Sequence, residues 1–346
     1  MSSGVATPGQ AMPAARAGTR SSPLARPALL EVRDLCIDVD TAMGPVRLVD
    51  GFNLSLKAGD RVALVGESGS GKSITARAML KLDTNVHLSG SVQLDGVELL
   101  GLSEKAMSRI RGSRIGMVFQ DPMHALNPLQ TIGEQVAEPL CLRGVSRKKA
   151  WDRACALLDE LGVPRARERM RAYPHEFSGG MRQRVVLAMA LIGEPDVLIA
   201  DEPTTALDVR VQKQVLQLLD EVTRQRQLAV LMITHDLAVV AGFTERVVVM
   251  YAGRKIEERT TEALFAAPAH PYTSALLDAL PRLDQAARAL DPIPGAPPSP
   301  AARPPGCAFH PRCPLAVERC RQDIPLLTVQ PDGGLVACHV VTQGTD

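Results

Sequence analysis

No stretch of this 346-residue sequence approaches the roughly 18–20 consecutive apolar residues that cross a bilayer as a helix. Any work at a membrane must therefore be done by docking onto another protein that spans it. Charge of one sign is equally missing. Lys and Arg number 39 against 38 Asp and Glu, a formal net charge of +1, which removes the global electrostatic case for a nucleic-acid partner. Residues 1–28 contain no acidic residue and no apolar centre of the roughly 7–15 residues a secretory signal needs. Rich in Ala, Ser, Gly, Pro and Arg, they read as a disordered tail. No internal repeat is present. The length leaves room for one large domain or two modest ones.

Cysteines number seven, an odd count, and without an export signal they do not make a disulfide framework. Cys36, Cys141 and Cys155 lie in apolar contexts and read as packed thiols. Cys307, Cys313, Cys320 and Cys338 crowd into the last 40 residues and raise the question of a metal or cluster site.

Apolar and polar residues alternate through "LLEVRDLCIDVD" (29–40), the pattern of a half-exposed strand. "SVQLDGVEL" (91–99) repeats it around Asp95-Gly96, a dipeptide that tolerates the positive φ of a hairpin turn. These segments predict an antiparallel layer. "RVALVG" (61–66), "VLIAD" (197–201) and "LAVLMITHD" (228–236) are short continuous apolar runs, expected of strands covered on both faces. Between them run stripes at helical spacing: Trp151, Ala154, Leu158 and Leu161, ended by Gly162, and Val211, Val215, Leu218, Leu219 and Val222. Strands alternating with helices predict a mostly parallel sheet with crossovers, an α/β fold. Seven prolines in "DPIPGAPPSPAARPPG" (291–306) read as a semi-rigid connector to a small cysteine-bearing tail.

Three motifs carry chemistry. In "GESGSGKS" (66–73), Gly66, Gly69 and Gly71, with Ser68 and Ser70 between them, let successive backbone N–H groups turn toward phosphate oxygens. Lys72 reaches the β- and γ-phosphates, the Ser73 hydroxyl ligates Mg²⁺, and the helix continuing through Ile74 adds its positive end. Alone, such a stretch is also compatible with an ordinary glycine-rich turn. "VLIADE" (197–202) ends a buried strand on two carboxylates, which alone would also serve as a helix cap. Beside a phosphate loop, Asp201 holds Mg²⁺ through its water shell and Glu202 polarises the attacking water as general base. In "FSGGMRQRVVLAMAL" (177–191), Ser178, Gly179 and Gly180 precede a helix and offer backbone donors to an anion. One phosphate loop already serves this domain's nucleotide, so a second anion site makes sense if it faces the nucleotide of another subunit. The bland reading is a glycine-rich helix start without a ligand.

In that order, "GESGSGKS", "FSGGM" and "VLIADEPTTALD" resemble the nucleotide-binding subunit of an ABC transporter. More narrowly, "FQDPMHALNP" (119–128), "YPHEFSGGMRQRV" (173–185), "VVMYAGR" (248–254) and "HPYT" (270–273) resemble the ATP-binding subunits of oligopeptide and dipeptide importers, over about residues 29–340. The resemblance implies a P-loop ABC cassette over 29–255, with a helical subdomain at about 121–178 that grips the membrane subunits, and a transporter-type C-terminal region over 256–346. It implies that Gln120 senses Mg²⁺ and the attacking water, that Asp208 couples two composite sites, and that His235 contacts the γ-phosphate. ATP and Mg²⁺ are the implied substrate and cofactor. The implied partners are two integral membrane permease subunits, a second ATPase subunit (a paralogue or a copy of itself) and, indirectly, an extracytoplasmic solute-binding protein. The implied place is the cytoplasmic face of a prokaryotic inner membrane.

Phe177 and Met181 stand where the wider signature has Leu and Gln, as fits this importer subgroup. Near Val39 the resemblance expects an aromatic against adenine, and "CIDVDTAMG" has none. For the cysteine tail, four thiolates suit a 4Fe–4S cluster, which a similar tail in some peptide importers binds. Zn²⁺ held by the thiolates or with His310, and four unligated thiols, are the other readings. Import of another small solute such as nickel or glutathione uses the same architecture. A soluble ABC ATPase of translation or DNA repair would want tandem cassettes, long coiled coils or strongly basic surfaces.

Overall fold

The computed structural model describes residues 1, 27–120, 125–204, 208–279 and 293–341. Most of the expected tail over 1–28, and residues 291–292 of the proline-rich stretch, lie outside these residues. Two sheets organise the chain. The smaller is antiparallel and pairs β2 (Gly44–Leu56), β1 (Leu30–Thr41), β4 (Val86–Leu94) and β5 (Val97–Glu98), in that order. The β4–β5 turn is the expected one, with Asp95 at φ 51° and Gly96 at φ 76°.

The larger sheet has a parallel centre in the order β9 (Arg246–Tyr251), β3 (Arg61–Val65), β8 (Ala229–Thr234), β7 (Val197–Asp201), β6 (Ile115–Val118). Between their polar ends its strands are apolar because both faces are covered. Ile199, Leu231 and Ile233 pack with Leu30, Phe52 and Val92 of the smaller sheet and with Ala76 and Met79 of the helix Lys72–Met79. Leu198, Ala200, Val230 and Met232 face the other way, onto the helices Ile132–Cys141, Arg147–Glu160 and Gly179–Leu191. The side-chain period of two along each strand separates these two cores. Both helical stripes lie on helices, and the second one, Val209–Arg226, buries Val215, Leu219 and Val222.

Beyond β9 the sheet turns antiparallel with β10 (Arg254–Thr260), β12 (Leu335–Val336) and β11 (Thr328–Val329). The C-terminal region is therefore stitched to the cassette's own sheet, and β10 runs across the 255/256 boundary. The proline-rich stretch also differs from a plain connector. Within residues 293–306, Arg303 donates to the Leu48 carbonyl of β2 at 2.8 Å, and the Pro294 carbonyl accepts from Arg312 of the tail at 2.8 Å. Proline lacks the N–H for a ladder but keeps its carbonyl, so such a segment docks through side chains and carbonyls.

The aromatics that the chain spends here are concentrated. Tyr251, Tyr272 and Phe309 form one buried cluster with ring centroids 4.6–5.3 Å apart. Next to it the helix Pro271–Asp278 is capped by His270, whose Nδ1 accepts from the Tyr272 N–H at 3.0 Å. Burial lowers the His270 imidazole from 6.5 to about 4. The buried Glu257 carboxylate beside it accepts the Ala269 and His270 backbone N–H groups, and Arg259 lies 3.9 Å from that carboxylate. Because the folded value is the lower one, the unfolded chain takes up the proton first. The neutral ring's contribution is complete above pH 6.5 and is lost as pH falls toward 4, by about 3 kcal/mol. Denaturation midpoints measured from pH 7.5 to 4.5 should fall more steeply for the wild type than for His270→Asn, which keeps an acceptor at the cap. Equal slopes would remove His270 from this account.

Candidate active site

Strand β3 delivers the chain to Gly66, where φ is 152° and an added Cβ would lie 2.3 Å from the Met250 carbonyl oxygen. Only glycine fits there. The loop then closes around Lys72, whose Nζ donates to the carbonyls of Gly66 and Glu67, both at 2.8 Å, and to Ser70 Oγ at 3.3 Å. Gly71, at φ 103°, starts the helix without a capping side chain, which leaves first-turn N–H groups for an anion. Burial pushes the Lys72 ammonium below its ordinary value, while Glu202, Asp201 and Glu67 oppose that shift. A desolvated cation with carbonyl partners it can exchange for phosphate oxygens suits the loop's expected task.

Ser68, Gly69, Gly71, Lys72, Ser73, Ile74, Gln120 and Glu202 line one cavity of about 260 Å³, together with Leu48 and Pro300. At its floor Ser73 Oγ donates to Asp201 Oδ1 at 3.0 Å. Burial raises the Asp201 carboxyl, with Glu202 adding to the rise and the Ser73 bond, Arg77 and Lys72 opposing it. A buried carboxylate and hydroxyl in contact are a fitting pair of oxygen ligands for Mg²⁺, whose charge would offset that desolvation. Glu202 follows at φ 48°, a left-handed conformation that costs a non-glycine residue on the order of 1 kcal/mol. Its N–H donates to the Ile233 carbonyl at 2.8 Å. Gln120 Nε2 donates to Glu202 Oε2 at 2.9 Å, and His235 Nδ1 lies 3.0 Å from Oε1. The carboxylate is thus aimed from two sides at the cavity mouth, with His235 largely exposed and Glu202 largely covered.

Sequence reasoning missed how the C-terminal region holds this loop. Tyr272 accepts the Glu67 N–H at 2.8 Å, and Arg312 grips the Glu67 carboxylate with two bonds of 2.7 and 3.0 Å. Arg312 is itself buried and donates also to the Tyr251 hydroxyl. The glutamate after the first glycine of "GESGSGKS" is therefore clamped, backbone and side chain, by residues 205 and 245 positions away. "HPYT" was a legible signal; its target was not.

The remaining expected residues stand apart. Ser178 caps the helix Gly179–Leu191, accepting from Met181 N–H, and Gly180 packs so closely that a Cβ would meet Val211 at 2.4 Å. Asp208 caps the helix Val209–Arg226 through the Val211 N–H at 2.9 Å. Neither Asp208 nor any of Ser178, Gly179 and Gly180 lines the cavity. The cysteine tail also stands apart from the cavity. Cys307, Cys313, Cys320 and Cys338 lie near one another, yet among the described residues no three His, Cys, Asp or Glu side chains are arranged to hold a metal. Burial pushes the Cys307 thiol up to about 11 and raises Cys313 as well. His310 Nδ1 faces the Cys307 carbonyl at 3.0 Å. Cys36 accepts the Gly51 N–H at 3.3 Å, and Cys141 and Cys155 pack against the helical core.

A glycine-rich loop around Lys72, the Ser73–Asp201 hydroxyl–carboxylate pair and a Glu202 carboxylate held by Gln120 and His235, on a parallel sheet with an antiparallel layer, are the arrangement found in the ATP-binding cassette ATPases. The ABC transporter family model matches residues 49–205, and that of the oligopeptide/dipeptide transporter C-terminal region matches 256–320. The chain is 49% identical over 312 residues to the oligopeptide transport ATP-binding protein OppD of Salmonella typhimurium, spanning 90% of this chain and 93% of that one. It is 48% identical over 325 residues to the protein of the same name from Escherichia coli, spanning 92% and 96%. Among solved structures, the dimeric post-hydrolysis cassette MJ0796 with ADP and Pi matches at a TM-score of 0.60 and 29% identity, over 67% of this chain and 98% of that one. cbiO1 of Clostridium perfringens, part of the transporter complex cbiONQ, matches at 0.61 and 28%, over 69% and 91%. The chain belongs to the ATP-binding subunits of ABC transporters, in the oligopeptide transport family.

Proposed function

We propose that this chain hydrolyses ATP to power the uptake of oligopeptides through two separate permease subunits, from the cytoplasmic face of a prokaryotic inner membrane. The observation that carries this reading is the meeting of Lys72, Ser73, Gln120 and Glu202 in one cavity, with Asp201 bonded to Ser73 and His235 to Glu202, in a chain with these relatives. Among the described residues no helix is long and apolar enough to cross a membrane, so the permeases have to supply the passage. The helical subdomain at about 121–178 is the part assigned to meet them. Residues 29–255 form the cassette in this division, with 256–346 as its C-terminal region.

Lys72 and the loop N–H groups draw the β- and γ-phosphates into the cradle. Ser73 and Asp201 would hold Mg²⁺, with Gln120 sensing it and the attacking water, and the ion would supply charge neutralisation at those phosphates. Glu202 takes the proton of a water as its oxygen attacks the γ-phosphorus, and the bond to the bridging oxygen breaks to leave ADP and phosphate. His235 contacts the γ-phosphate from the mouth. Ser178, Gly179 and Gly180 of a second ATPase subunit, a paralogue or a copy, close over the same phosphate, and Asp208 couples the two sites. Loss of the γ-phosphate then removes the bridge and lets the pair open. A solute-binding protein outside the membrane delivers the peptide.

Cells lacking this chain should lose ATP-dependent uptake of a labelled tetrapeptide, and the wild-type chain should restore it while Lys72→Ala does not. Undiminished uptake in the deleted cells would overturn the peptide assignment.

A further inference from the structure

We propose that the C-terminal region supplies one wall of the adenine subsite, with Pro300 and Leu48 as the apolar surfaces the base rests against. This rests on the nucleotide reading above and adds to it which residues receive the base. The ten residues lining the cavity divide by chemistry. Ser68, Gly69, Gly71, Lys72, Ser73, Gln120 and Glu202 offer N–H groups, hydroxyls, an ammonium, an amide or a carboxylate, the groups a triphosphate and its water require. Apart from Ile74 within the loop's own helix, Leu48 and Pro300 are the apolar lining, and they come from β2 and from a short 3₁₀ turn, Pro300–Ala302, some 250 residues apart. Two aliphatic surfaces beside a phosphate cradle match a purine, whose faces are flat and apolar.

Strand β1 cannot do this work in the expected way. Leu30–Thr41 contains no Phe, Tyr or Trp. Its pairing with β2 sets Ile37 opposite Val49 and Asp38 opposite Arg47, so Leu48 sits between these pairs on the strand next to the gap. Leu48 is half-buried and Pro300 exposed, so the proline still has a face to offer.

Pro300 is held in place by two ties. Three residues on, Arg303 donates from Nη2 to the Leu48 carbonyl at 2.8 Å. Its guanidinium lies over Gly253, where an added Cβ would be 2.3 Å from that nitrogen. Among the described residues Arg303 Nε is buried with no hydrogen-bond partner, a cost the fold accepts to keep the side chain across the β2 edge. Further along, Arg312 is fastened to Glu67 in the phosphate loop. The stretch from Pro300 to Arg312 is thus tied to the strand carrying Leu48 and to the loop carrying Lys72. Proline, with its fixed φ, loses no side-chain rotamer freedom when a ligand packs on it. Arg303 is a positioning residue in this arrangement, and Pro300 is the surface.

Equilibrium binding of MgATP and of magnesium tripolyphosphate, a probe with the phosphates and no base, separates this proposal from its foundation. In the full chain, Pro300→Gly should weaken ATP about three- to tenfold, less than a stacking aromatic is worth, and leave tripolyphosphate unchanged. Arg303→Met should reproduce the same selective loss. Unchanged ATP affinity in both variants overturns the proposal. So does equal weakening of both ligands, since the region would then act on the phosphate loop alone. A wild-type chain that binds neither ligand would sink the nucleotide reading, and this proposal with it.

Discussion

Glu202→Gln should cut ATP turnover about 10²- to 10⁴-fold, the usual worth of a positioned base, while ATP still binds. Glutamine has the size of glutamate and can keep a bond to the Gln120 amide or to His235, so the cavity should hold its shape. It cannot accept the water's proton at neutral pH. The phosphates are assigned to Lys72, which Nζ bonds to the Gly66 and Glu67 carbonyls hold inside the loop, and not to this carboxylate. Steady-state phosphate release beside equilibrium nucleotide binding reads the two effects separately. Turnover within about threefold of the wild type would remove Glu202 as the base, and lost binding would make it a structural support. The left-handed backbone at Glu202 belongs to the same expectation. A strained conformation, kept where β7 meets the cavity, aims a side chain that relaxed geometry would turn elsewhere.

Ser178→Arg should abolish turnover almost as completely, by at least about 10²-fold, the scale on which removing a group that stabilises the transition state acts. It should do so from a position outside the chain's own cavity. The exposed Ser178 hydroxyl caps its helix through Met181 N–H, and losing that cap costs about 1 kcal/mol, too little to unfold the chain. The added guanidinium would stand where the partner's nucleotide has to arrive. Nucleotide affinity of the isolated subunit should therefore hold while hydrolysis and the closed pair are lost. Size-exclusion chromatography with ATP in the Glu202→Gln background reads closure directly. Wild-type turnover in Ser178→Arg would contradict a site shared between two subunits.

Much of the site was legible because its chemistry is local. The loop from Gly66 to Ser73, its strand and its helix are one continuous stretch, so spacing alone placed Lys72 and Ser73. The same holds for Asp201 and Glu202 at the end of β7, and for the β4–β5 hairpin at Asp95-Gly96. Gln120 and His235 needed a family resemblance, since an amide in a loop and an imidazole after a strand have many uses. Their common bond to Glu202 is a product of β6, β7 and β8 lying side by side. The four tail cysteines do lie near one another, as their clustering in the sequence suggests, but the directions of their sulfurs are set only by the tertiary structure.

Residue order alone determined the glycine-rich loop, the covered strands and the capped helices, because these follow from contacts within a few residues or from composition. Tertiary structure decided what the last third of the chain is for. Tyr272 and Arg312 on Glu67, Arg303 on the Leu48 carbonyl, and Pro300 at the cavity mouth join segments about 200 residues or more apart. No local pattern encodes such pairs. They exist because β10 and β12 extend the cassette's own sheet and carry the tail back onto the loop that grips the phosphates.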